Sequence, residues 1–328
     1  MVVKIRDFVP EPRDYEAVAR LNALAWSTDF LDFEPPTAED LRAFDRAYDP
    51  AKYTLRRFVA EEDGEVAGYA FYAHMPWAFE PGAYWASVRC DPARRGRGIG
   101  RSLYHRVTDE LDRIGAKSVR IEAREEDSMV REALERRGFV EEVRSSAYVI
   151  DVTRADVGAF RGYAERAAAE GIEVISLPEF KEREPAWLSK LHALHSAVVR
   201  EIPLPDEPLP ERTPAELVDY LFNAPGALPE ACFIAVQGER CAGECILYRS
   251  QDDKAELEHL VTGVDNDFRG RGVAFALKLR TVEFAQQNGY KRITTWVESN
   301  NPSMLAINEK FGFVRAEGIL VLKKSFLR

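Results

Sequence analysis

Apolar and polar positions follow the same succession of helical and strand periods twice along the chain. Each succession starts with apolar residues about 3.6 positions apart, which predicts a helix. Two stretches with β-type patterning follow, joined at a glycine turn as in a hairpin, and then a third strand. The predicted elements are helix 15–26 and strands 54–60, 65–74 and 83–90 in the first part, and helix 185–199 and strands 232–237, 241–249 and 255–264 in the second.

The second half of each succession is built around a glycine-rich turn. This turn directly follows the third strand and opens a longer helix, predicted at 99–114 and 273–288. A buried strand and a short helix that ends at a Gly-Phe pair come next, and a closing strand completes each part. The predicted strands are 118–123 and 147–152 in the first part, and 292–298 and 320–324 in the second.

The two successions are related as an internal repeat. The segment RRGRGIGRSL begins at Arg94, and FRGRGVAFAL begins at Phe268, so that Arg95 corresponds to Arg269 at an offset of 174 residues. The Gly-Phe pairs at 138–139 and 312–313 keep the same offset. Equal spacing of two motifs predicts two copies of one fold. We expect a first domain at 1–153, an alanine-rich connector at 154–171 and a second domain at 172–328.

Composition narrows the class of protein. The 328 residues are 46% hydrophobic and contain no apolar run long enough for a membrane span or a secretory signal, which predicts a soluble cytoplasmic protein of about two domains. Four cysteines are too few for a disulfide scaffold, and Cys241 and Cys245 lack a second ligand pair, so no metal site is expected. The net charge of −10 argues against binding to nucleic acid or to anionic membranes.

The glycine turns have the features of an anion site. Backbone N–H groups at the start of a helix point outward at the positive end of its dipole, and glycines let a phosphate approach closely. The turns lack the G-K-[ST] ending of a P-loop and the G-x-G-x-x-G of a dinucleotide fold. The alternative is a tight turn with solvated arginines. The small residues are Gly96, Gly98 and Gly100 in one turn, and Gly270, Gly272 and Ala274 in the other.

Both turns resemble the [QR]-x-x-G-x-[GA] signature of the GCN5-related N-acetyltransferases (GNAT). Arg95, Gly98 and Gly100 match it in the first copy, and the residues 174 positions later match it in the second. The resemblance spans nearly the whole chain, as in tandem two-domain members of the family. It implies an α/β fold in which each copy has a mixed, splayed, mostly antiparallel sheet flanked by helices, and it implies acetyl-CoA as co-substrate without a metal.

The resemblance also implies which residues contact acetyl-CoA. The backbone of the third strand would contact the pantetheine arm, the turn would surround the pyrophosphate, and Asn301 would bind the arm, whereas the first copy has Asp127 there. The implied residues are Val88, Arg89, Cys90, Arg95, Gly96, Arg97, Gly98, Ile99, Gly100 and Arg101 in the first copy, and Thr262, Gly263, Val264, Arg269, Gly270, Arg271, Gly272, Val273, Ala274 and Phe275 in the second.

Two carboxylates of the second copy are candidate bases. Glu258 stands 11 residues before Arg269, as does the catalytic glutamate of family members that acetylate histones, and Glu298 ends the following strand. Either is alternatively a carboxylate with only a local structural role, and Glu256 shares the face of Glu258. The first copy has Tyr84 at the corresponding spacing.

The position of the family's usual general acid departs from the pattern. A tyrosine is common four residues before the glycine of Gly-Phe, but this chain has Leu134 in one copy and Asn308 in the other. His259 falls on the opposite strand face from Glu258 and is expected to be structural. Glu258 and Asn301 together predict that the second copy is catalytic and that the first is degenerate.

The predicted function is acetyl transfer from acetyl-CoA to a small-molecule amine by direct attack in a ternary complex. The alternatives are a non-catalytic acyl-CoA-binding or regulatory protein and a protein N-acetyltransferase. A monomer or homodimer is expected. Acidic and aromatic residues near the presumed cleft would suit a cationic amine or would simply be packed helix edges: Trp26, Asp29, Phe30, Asp32, Phe33, Glu201, Asp206 and Glu207.

Overall fold

The computed structural model describes residues 3–26, 35–76, 79–202, 212–224, 226–250 and 253–326. The chain divides into two compact units. The first consists of Met1–Glu142 with Leu320–Arg328, and the second consists of Val143–Ile319. Within the described ranges, no helix is both long and apolar enough to cross a membrane.

The first unit is an open sheet with helices on both faces. Its strands lie in the order β1-β2-β3-β4-β5, and the C-terminal strand of the chain follows β5. Helix α3 packs on one face in the main core, and α1 packs on the other. The elements are β1 (Lys4–Asp7), α1 (Pro12–Trp26), α2 (Ala38–Ala47), β2 (Leu55–Glu62), β3 (Glu65–Ala73), β4 (Ala83–Cys90), α3 (Ile99–Ile114), β5 (Ser118–Arg124) and α4 (Ser128–Glu135).

The second unit repeats this plan. Its strands lie in the order β6-β11-β10-β9-β8-β7, with α9 and α10 on one face and α7 on the other. The elements are β6 (Val140–Asp151), α5 (Arg161–Ala169), β7 (Glu173–Ser176), α6 (Leu177–Arg183), α7 (Trp187–Val199), α8 (Pro214–Val218), β8 (Ala227–Gln237), β9 (Arg240–Arg249), β10 (Glu256–Val264), α9 (Val273–Gln287), β11 (Arg292–Glu298) and α10 (Pro302–Phe311). The C-terminal strand β12 (Val314–Ser325) belongs to the first unit from Leu320 onward.

The last strand of each sequence copy packs into the hydrophobic core of the unit formed mainly by the other copy. Tyr148 and Ile150 of β6 come from the first copy but are buried in the core of the second unit. Leu320 and Leu322 of β12 come from the second copy but are buried in the core of the first. Each compact unit therefore combines segments of both sequence copies. The predicted domain boundaries, 1–153 and 172–328 with a connector at 154–171, divide the chain by sequence copy and stay a prediction.

The predicted mixed and splayed sheet is confirmed in both units. β4 pairs with β5 in parallel and with β3 antiparallel, and β10 pairs in the same way with β11 and β9. The parallel register ends at Ala86 in β4 and at His259 in β10, well before either strand ends. Each parallel pair therefore diverges toward the carboxyl end of its strands, where the glycine turn begins.

Two glycines bring the helix that follows each turn close to the sheet. A Cβ atom at Gly68 of β3 would lie 2.7 Å from Cγ2 of Ile99 in α3. At Gly243 of β9, it would lie 3.3 Å from Cγ1 of Val273 in α9 and 2.8 Å from a backbone oxygen. The repeated glycine thus permits close helix–strand contact at equivalent places and positions both helix N-termini.

Candidate functional site

The glycine turn of the first copy is exposed. The Asp91 side chain accepts a hydrogen bond from the N–H of Ala93 at 2.9 Å and closes the short 3₁₀ turn after β4. Gly96 and Gly98 then adopt φ of +80° and +84°, and Gly98 is the N-cap of α3. No described heavy atom would lie within 4 Å of a Cβ at either glycine. The approach to this helix N-terminus is therefore clear among the described residues.

Arginines surround this first turn. Arg95, Arg97 and Arg101 are exposed, and Arg97 donates to the buried carboxylate of Glu62 at 2.9 Å. Within the described ranges, Arg95 and Arg101 form no ion pair. Their positive charge adds to that of the helix N-terminus, which favours an anionic ligand.

The turn of the second copy has the same backbone but different surroundings. Gly270 and Gly272 adopt φ of +75° and +84°, and Gly272 is the N-cap of α9. A Cβ at Gly272 would lie only 2.9 Å from the carbonyl oxygen of Tyr163 in α5. The connector helix therefore lies directly against this turn, although Gly270 itself remains exposed.

Aromatic stacking holds the connector in this position. The rings of Tyr163 and Phe275 stack with centroids 4.1 Å apart, and those of Phe160 and Phe311 stack at 4.0 Å. Phe275 belongs to the first turn of α9, and Phe311 ends α10. The connector thus occupies the groove between these two helices.

The arginines of the second turn are engaged by carboxylates. Arg271 pairs with Glu170 at 3.2 Å and also donates to the carbonyl of Asp267 at 2.8 Å. Arg269 pairs with Glu201, which also accepts from Asn266. Arg97 of the first turn is paired like its counterpart Arg271, so the difference lies in Arg269, whose ion pair offsets positive charge that Arg95 keeps exposed.

The strands expected to contact pantetheine also differ. Arg89 of β4 donates to the side chain of Asn22 in α1. The corresponding residue of β10 is Gly263, where a Cβ would lie 2.1 Å from Cγ1 of Val198 in α7. Burial raises the pKa of the Cys90 thiol to about 11, so this cysteine stays protonated near neutral pH.

A β-bulge in β10 corrects the sequence-based alignment of the two copies. His259 lies opposite Leu247 of β9, but Val261 lies opposite Ile246, which leaves Leu260 as the extra residue. Glu258 pairs in register with Thr294 of β11, and the structurally equivalent pair in the first copy is Trp85 with Arg120. The expectation that Tyr84 takes the place of Glu258 is therefore wrong.

Tyr84 belongs to the hydrophobic core. Its ring stacks on that of His74 with centroids 4.3 Å apart and packs edge-on against Tyr72. An 11-residue spacing before the turn arginine does not reveal this difference, because the bulge adds one residue to β10 alone. A tyrosine packed in this way does not face the α1 side of the sheet.

The candidate carboxylates of the second copy share one strand face. Glu256 accepts hydrogen bonds from Arg292 at 2.9 Å and from Thr294, so it is held in a local network. Glu258 is half-buried on the same face, which α7 covers. Glu298 ends β11 on this face too, and burial raises the pKa of its carboxyl group. A raised pKa makes Glu298 a better proton acceptor near neutral pH.

Glu122 of the first copy is a candidate that the sequence analysis missed. It is exposed on β5, on the face opposite Val119 and Ile121, which pack toward α3. Its surroundings raise the pKa of the carboxyl group by desolvation, and the nearby charge of Arg89 partly opposes this shift. The signal in the sequence was a single carboxylate at an alternate position of the otherwise buried stretch SVRIEAR.

Other predicted residues have clear structural roles. Asn301 caps α10 by accepting from the N–H of Met304 at 3.2 Å, and Asp127 caps α4 in the same way through Val130. The expected contact of Asn301 with pantetheine stays a prediction. His259 is buried with Nε2 3.1 Å from the hydroxyl of Thr281, in agreement with the structural role expected for it.

The positions of the usual general acid hold no proton donor of suitable acidity. Leu134 packs in the core of the first unit, and Asn308 is fully buried in the second. Neither amide atom of the Asn308 side chain has a hydrogen-bond partner among the described residues. Of the residues expected to attract a cationic amine, only Glu201 has a described side chain.

A family comparison decides the class of protein. The model of the "Acetyltransferase (GNAT) family" matches residues 18–139 and again residues 197–313, which together make up more than half of the chain. The chain belongs to the GNAT family. It is an N-acetyltransferase with two tandem GNAT domains, and the acetyl donor of the family is acetyl-CoA. The two matches confirm the predicted duplication.

Two acetyltransferases of known name are similar in sequence to parts of this GNAT protein. It is 28% identical to the N-alpha-acetyltransferase MAK3 of Arabidopsis thaliana over 42% of this chain and 71% of that protein. It is 36% identical to the mycothiol acetyltransferase of Amycolatopsis mediterranei (strain U-32) over 31% of this chain and 34% of that protein.

Two solved structures match almost the whole chain. A tandem GNAT protein from the clavulanic acid biosynthesis pathway has a TM-score of 0.68 at 16% identity, with 99% of this chain and 98% of that chain covered. A GCN5-related N-acetyltransferase from Sphaerobacter thermophilus has a TM-score of 0.63 at 18% identity, with 98% and 95% covered. At these identities the likeness shows the tandem fold.

Among the described residues, side chains that could bind a metal are dispersed, and the cysteines are buried or half-buried. Among the described residues, no three His, Cys, Asp or Glu side chains are grouped as metal ligands would be. All four cysteines are free thiols, and Cys232 and Cys245 are buried. Burial raises the pKa of both, which opposes the thiolate form that a nucleophile requires.

Proposed function

We propose that this GNAT protein transfers the acetyl group of acetyl-CoA to a small-molecule amine by direct attack in a ternary complex. One observation carries the proposal. The turn at Gly96 and Gly98 presents an exposed helix N-terminus and nearby arginines to an anionic ligand, inside a fold whose family uses acetyl-CoA. A small-molecule acceptor and a cytoplasmic location, like the monomeric or homodimeric state, are part of the same proposal.

The residues of this turn fit the pyrophosphate of acetyl-CoA. The backbone N–H groups from Gly96 to Arg101 would hold the phosphates, and the exposed side chains of Arg95 and Arg101 would supply positive charge. The backbone from Val88 to Cys90, where β4 diverges from β5, would hold the pantetheine arm. When bound, acetyl-CoA supplies a thioester with an electrophilic acyl carbon.

The side chains on the opposite sheet face would prepare the amine. An alkyl ammonium has a pKa of about 10, so a carboxylate that accepts its proton raises the fraction of reactive amine. Glu122 in the first copy and Glu258 and Glu298 in the second lie on the face away from α3 or α9. Surrounding protein atoms partly desolvate the exposed Glu122 and the half-buried Glu298 and raise the pKa of both carboxyl groups, which suits each to this task.

The bond changes balance with one carboxylate and one water. The amine nitrogen bonds to the acyl carbon while the carbon–sulfur bond breaks, and the carboxylate takes the proton that nitrogen loses. We assign protonation of the departing sulfur to water, because Leu134 and Asn308 are not acids near neutral pH. The carboxyl group then returns its proton to the hydroxide that this water leaves, and the proton of the starting ammonium passes to solvent. No acyl-enzyme is formed in this scheme.

The test is incubation with acetyl-CoA and a panel of small amines, with free thiol release measured together with the mass of the acetylated product. We expect turnover with at least one amine, and sequential rather than ping-pong kinetics. Saturable acetyl-CoA binding without turnover would instead support the alternative of a non-catalytic acyl-CoA-binding protein.

A second acceptor class is favoured by one comparison. The relative in Arabidopsis thaliana is named as an N-alpha-acetyltransferase and is covered over 71% of its length. Peptides with free amino termini therefore belong in the same assay as a separate arm. Turnover with peptides and with no small amine would identify a protein N-acetyltransferase and overturn the small-molecule proposal.

A further inference from the structure

We propose that the connector helix α5 fills the nucleotide groove of the second copy, so that each chain binds one acetyl-CoA, at the first copy. This inference rests on the proposed function, since it concerns where the co-substrate binds. It places cofactor binding in the first copy, which Glu258 and Asn301 of the second copy predict to be degenerate. Its basis is a comparison of the two grooves, position by position.

The groove between α3 and α4 in the first copy differs in charge from the groove between α9 and α10 in the second copy. At the offset of 174 residues, Arg101 of α3 corresponds to Phe275 of α9, and Arg137 after α4 corresponds to Phe311 of α10. The first groove therefore has two cations where the second has two aromatic rings. Cations suit a ligand with several phosphates, whereas the rings suit an apolar partner.

Two aromatic residues of the connector occupy the groove between α9 and α10. Phe160 stacks on Phe311 and lies 6.4 Å from Phe275, and Tyr163 stacks on Phe275. The Tyr163 carbonyl oxygen is the atom that a Cβ on Gly272 would meet. A carbonyl dipole at a helix N-terminus takes the place that an anion would otherwise occupy.

The floors of the grooves also differ. Tyr104 in α3 corresponds to Lys278 in α9, and Arg137 lies 4.9 Å above the ring of Tyr104. The Tyr104 hydroxyl is buried and has no hydrogen-bond partner among the described residues, so it can meet a polar group of a ligand. Lys278 is fully buried beneath the filled groove, with Nζ 4.9 Å from the ring centre of Phe313.

Binding at the second copy would require α5 to leave. The two aromatic stacks and the ion pair between Arg271 and Glu170 would all be lost before a ligand could approach Gly272 as closely as Gly98. The first turn requires no such displacement of described residues. The difference in affinity follows from this competition, because a ligand bound only to the displaced state loses the free energy of displacement.

Isothermal titration of the full chain with acetyl-CoA tests the inference without relying on turnover. We expect one site per chain. The double variant Arg101→Gln/Arg137→Gln should raise the Kd at least about tenfold. The matched double variant Arg166→Gln/Lys310→Gln also removes two cations, which lie 5.2 and 5.4 Å from the Tyr163 ring centre in the second copy, and should change the Kd less than about twofold.

The outcomes separate this inference from the proposed function. Two equivalent sites per chain, or weaker binding in the second-copy variant alone, would overturn the inference while acetyl-CoA-dependent function stood. Absence of any acetyl-CoA binding to the wild-type chain would overturn both. The single variant Arg101→Gln, at an exposed position, guards against misfolding of the double variant, and thermal unfolding of each protein confirms that it is folded.

Discussion

The first and second glycine turns have the same signature and nearly the same backbone, yet they face different surroundings. Gly98 and Gly272 are both N-caps with φ of +84°, but only Gly272 lies against another segment of described chain. The signature residues therefore specify the turn itself. Whether such a turn can receive a phosphate depends on residues far away in the sequence, such as Tyr163.

The opposite faces of the two sheets show a second contrast. β10 contains the bulge at Leu260 and carries Glu258 on this face. β4 pairs with β3 without a bulge, and it carries Trp85 at the equivalent position. Glu122 instead supplies a carboxylate on β5 of the first copy. Local motifs thus favour the second copy for chemistry, while access to the turn favours the first.

The largest expected effect comes from removing the carboxylate beside the accessible turn. If the first copy carries the reaction, Glu122→Gln should lower kcat about a thousandfold, because the amide cannot accept the ammonium proton. The neighbouring exposed Glu126→Gln is the control and should leave kcat within about twofold. A comparable loss in Glu258→Ala or Glu298→Gln, with Glu122→Gln unaffected, would assign the reaction to the second copy.

The pH profile sharpens this prediction. The carboxyl of Glu122 must be deprotonated to act as a base, and its pKa lies above the ordinary value. The rate of the wild-type protein should therefore fall as the pH drops through that raised pKa. Glu122→Gln should remove this acid limb from the profile of its residual activity, whereas Glu126→Gln should retain it.

A smaller effect is expected at the floor of the filled groove. Burial lowers the pKa of Lys278 to about 8 from an ordinary value of 10.5, and the nearby thiol of Cys245 in β9 partly opposes this shift. The charge of Lys278 in turn helps to lower the pKa of the buried His259 in β10. Lys278→Met should stabilise the protein by as much as about 3 kcal/mol at pH 7, since it removes a buried cation while keeping a side chain of similar length.

The pH dependence of the free energy of unfolding tests whether the buried charge of Lys278 is the cause. Below about pH 8 the folded protein bears the full cost of the buried ammonium, and between about pH 8 and 10.5 that cost declines because the folded state loses the proton first. Stability measured by urea unfolding should rise over this interval in the wild type relative to Lys278→Met. An equal pH dependence in both proteins would show that Lys278 is hydrated when folded.

Much of this architecture could be read from hydrophobic periodicity and from the repeat. The strand at 83–90 and the helix at 99–114 are confirmed at the predicted residues, because their apolar positions are local and regular. The exchange of β6 and β12 could not be predicted in this way, since an alternating strand such as one containing Tyr148 and Ile150 fits either core.

The candidate site shows the same limit. The positions of Gly98 and Gly272 in strand-to-helix turns followed from the sequence, but the bulge at Leu260 adds one residue inside an otherwise regular strand and leaves no separate sequence signal. Phe160 and Tyr163 looked like part of an alanine-rich connector. Their role becomes visible only when α5 is placed beside α9 in space.

The smallest expected effect isolates the contact that distinguishes the two turns. Gly98→Ala and Gly272→Ala introduce the same methyl group at the same φ, so backbone strain cancels when the two variants are compared. Only at Gly272 would the methyl lie 2.9 Å from the Tyr163 carbonyl oxygen. We expect Gly272→Ala to be the less stable variant by about 1–2 kcal/mol, measured by urea unfolding. Equal stability would mean that α5 moves away from the turn at little cost, and that the second groove is accessible after all.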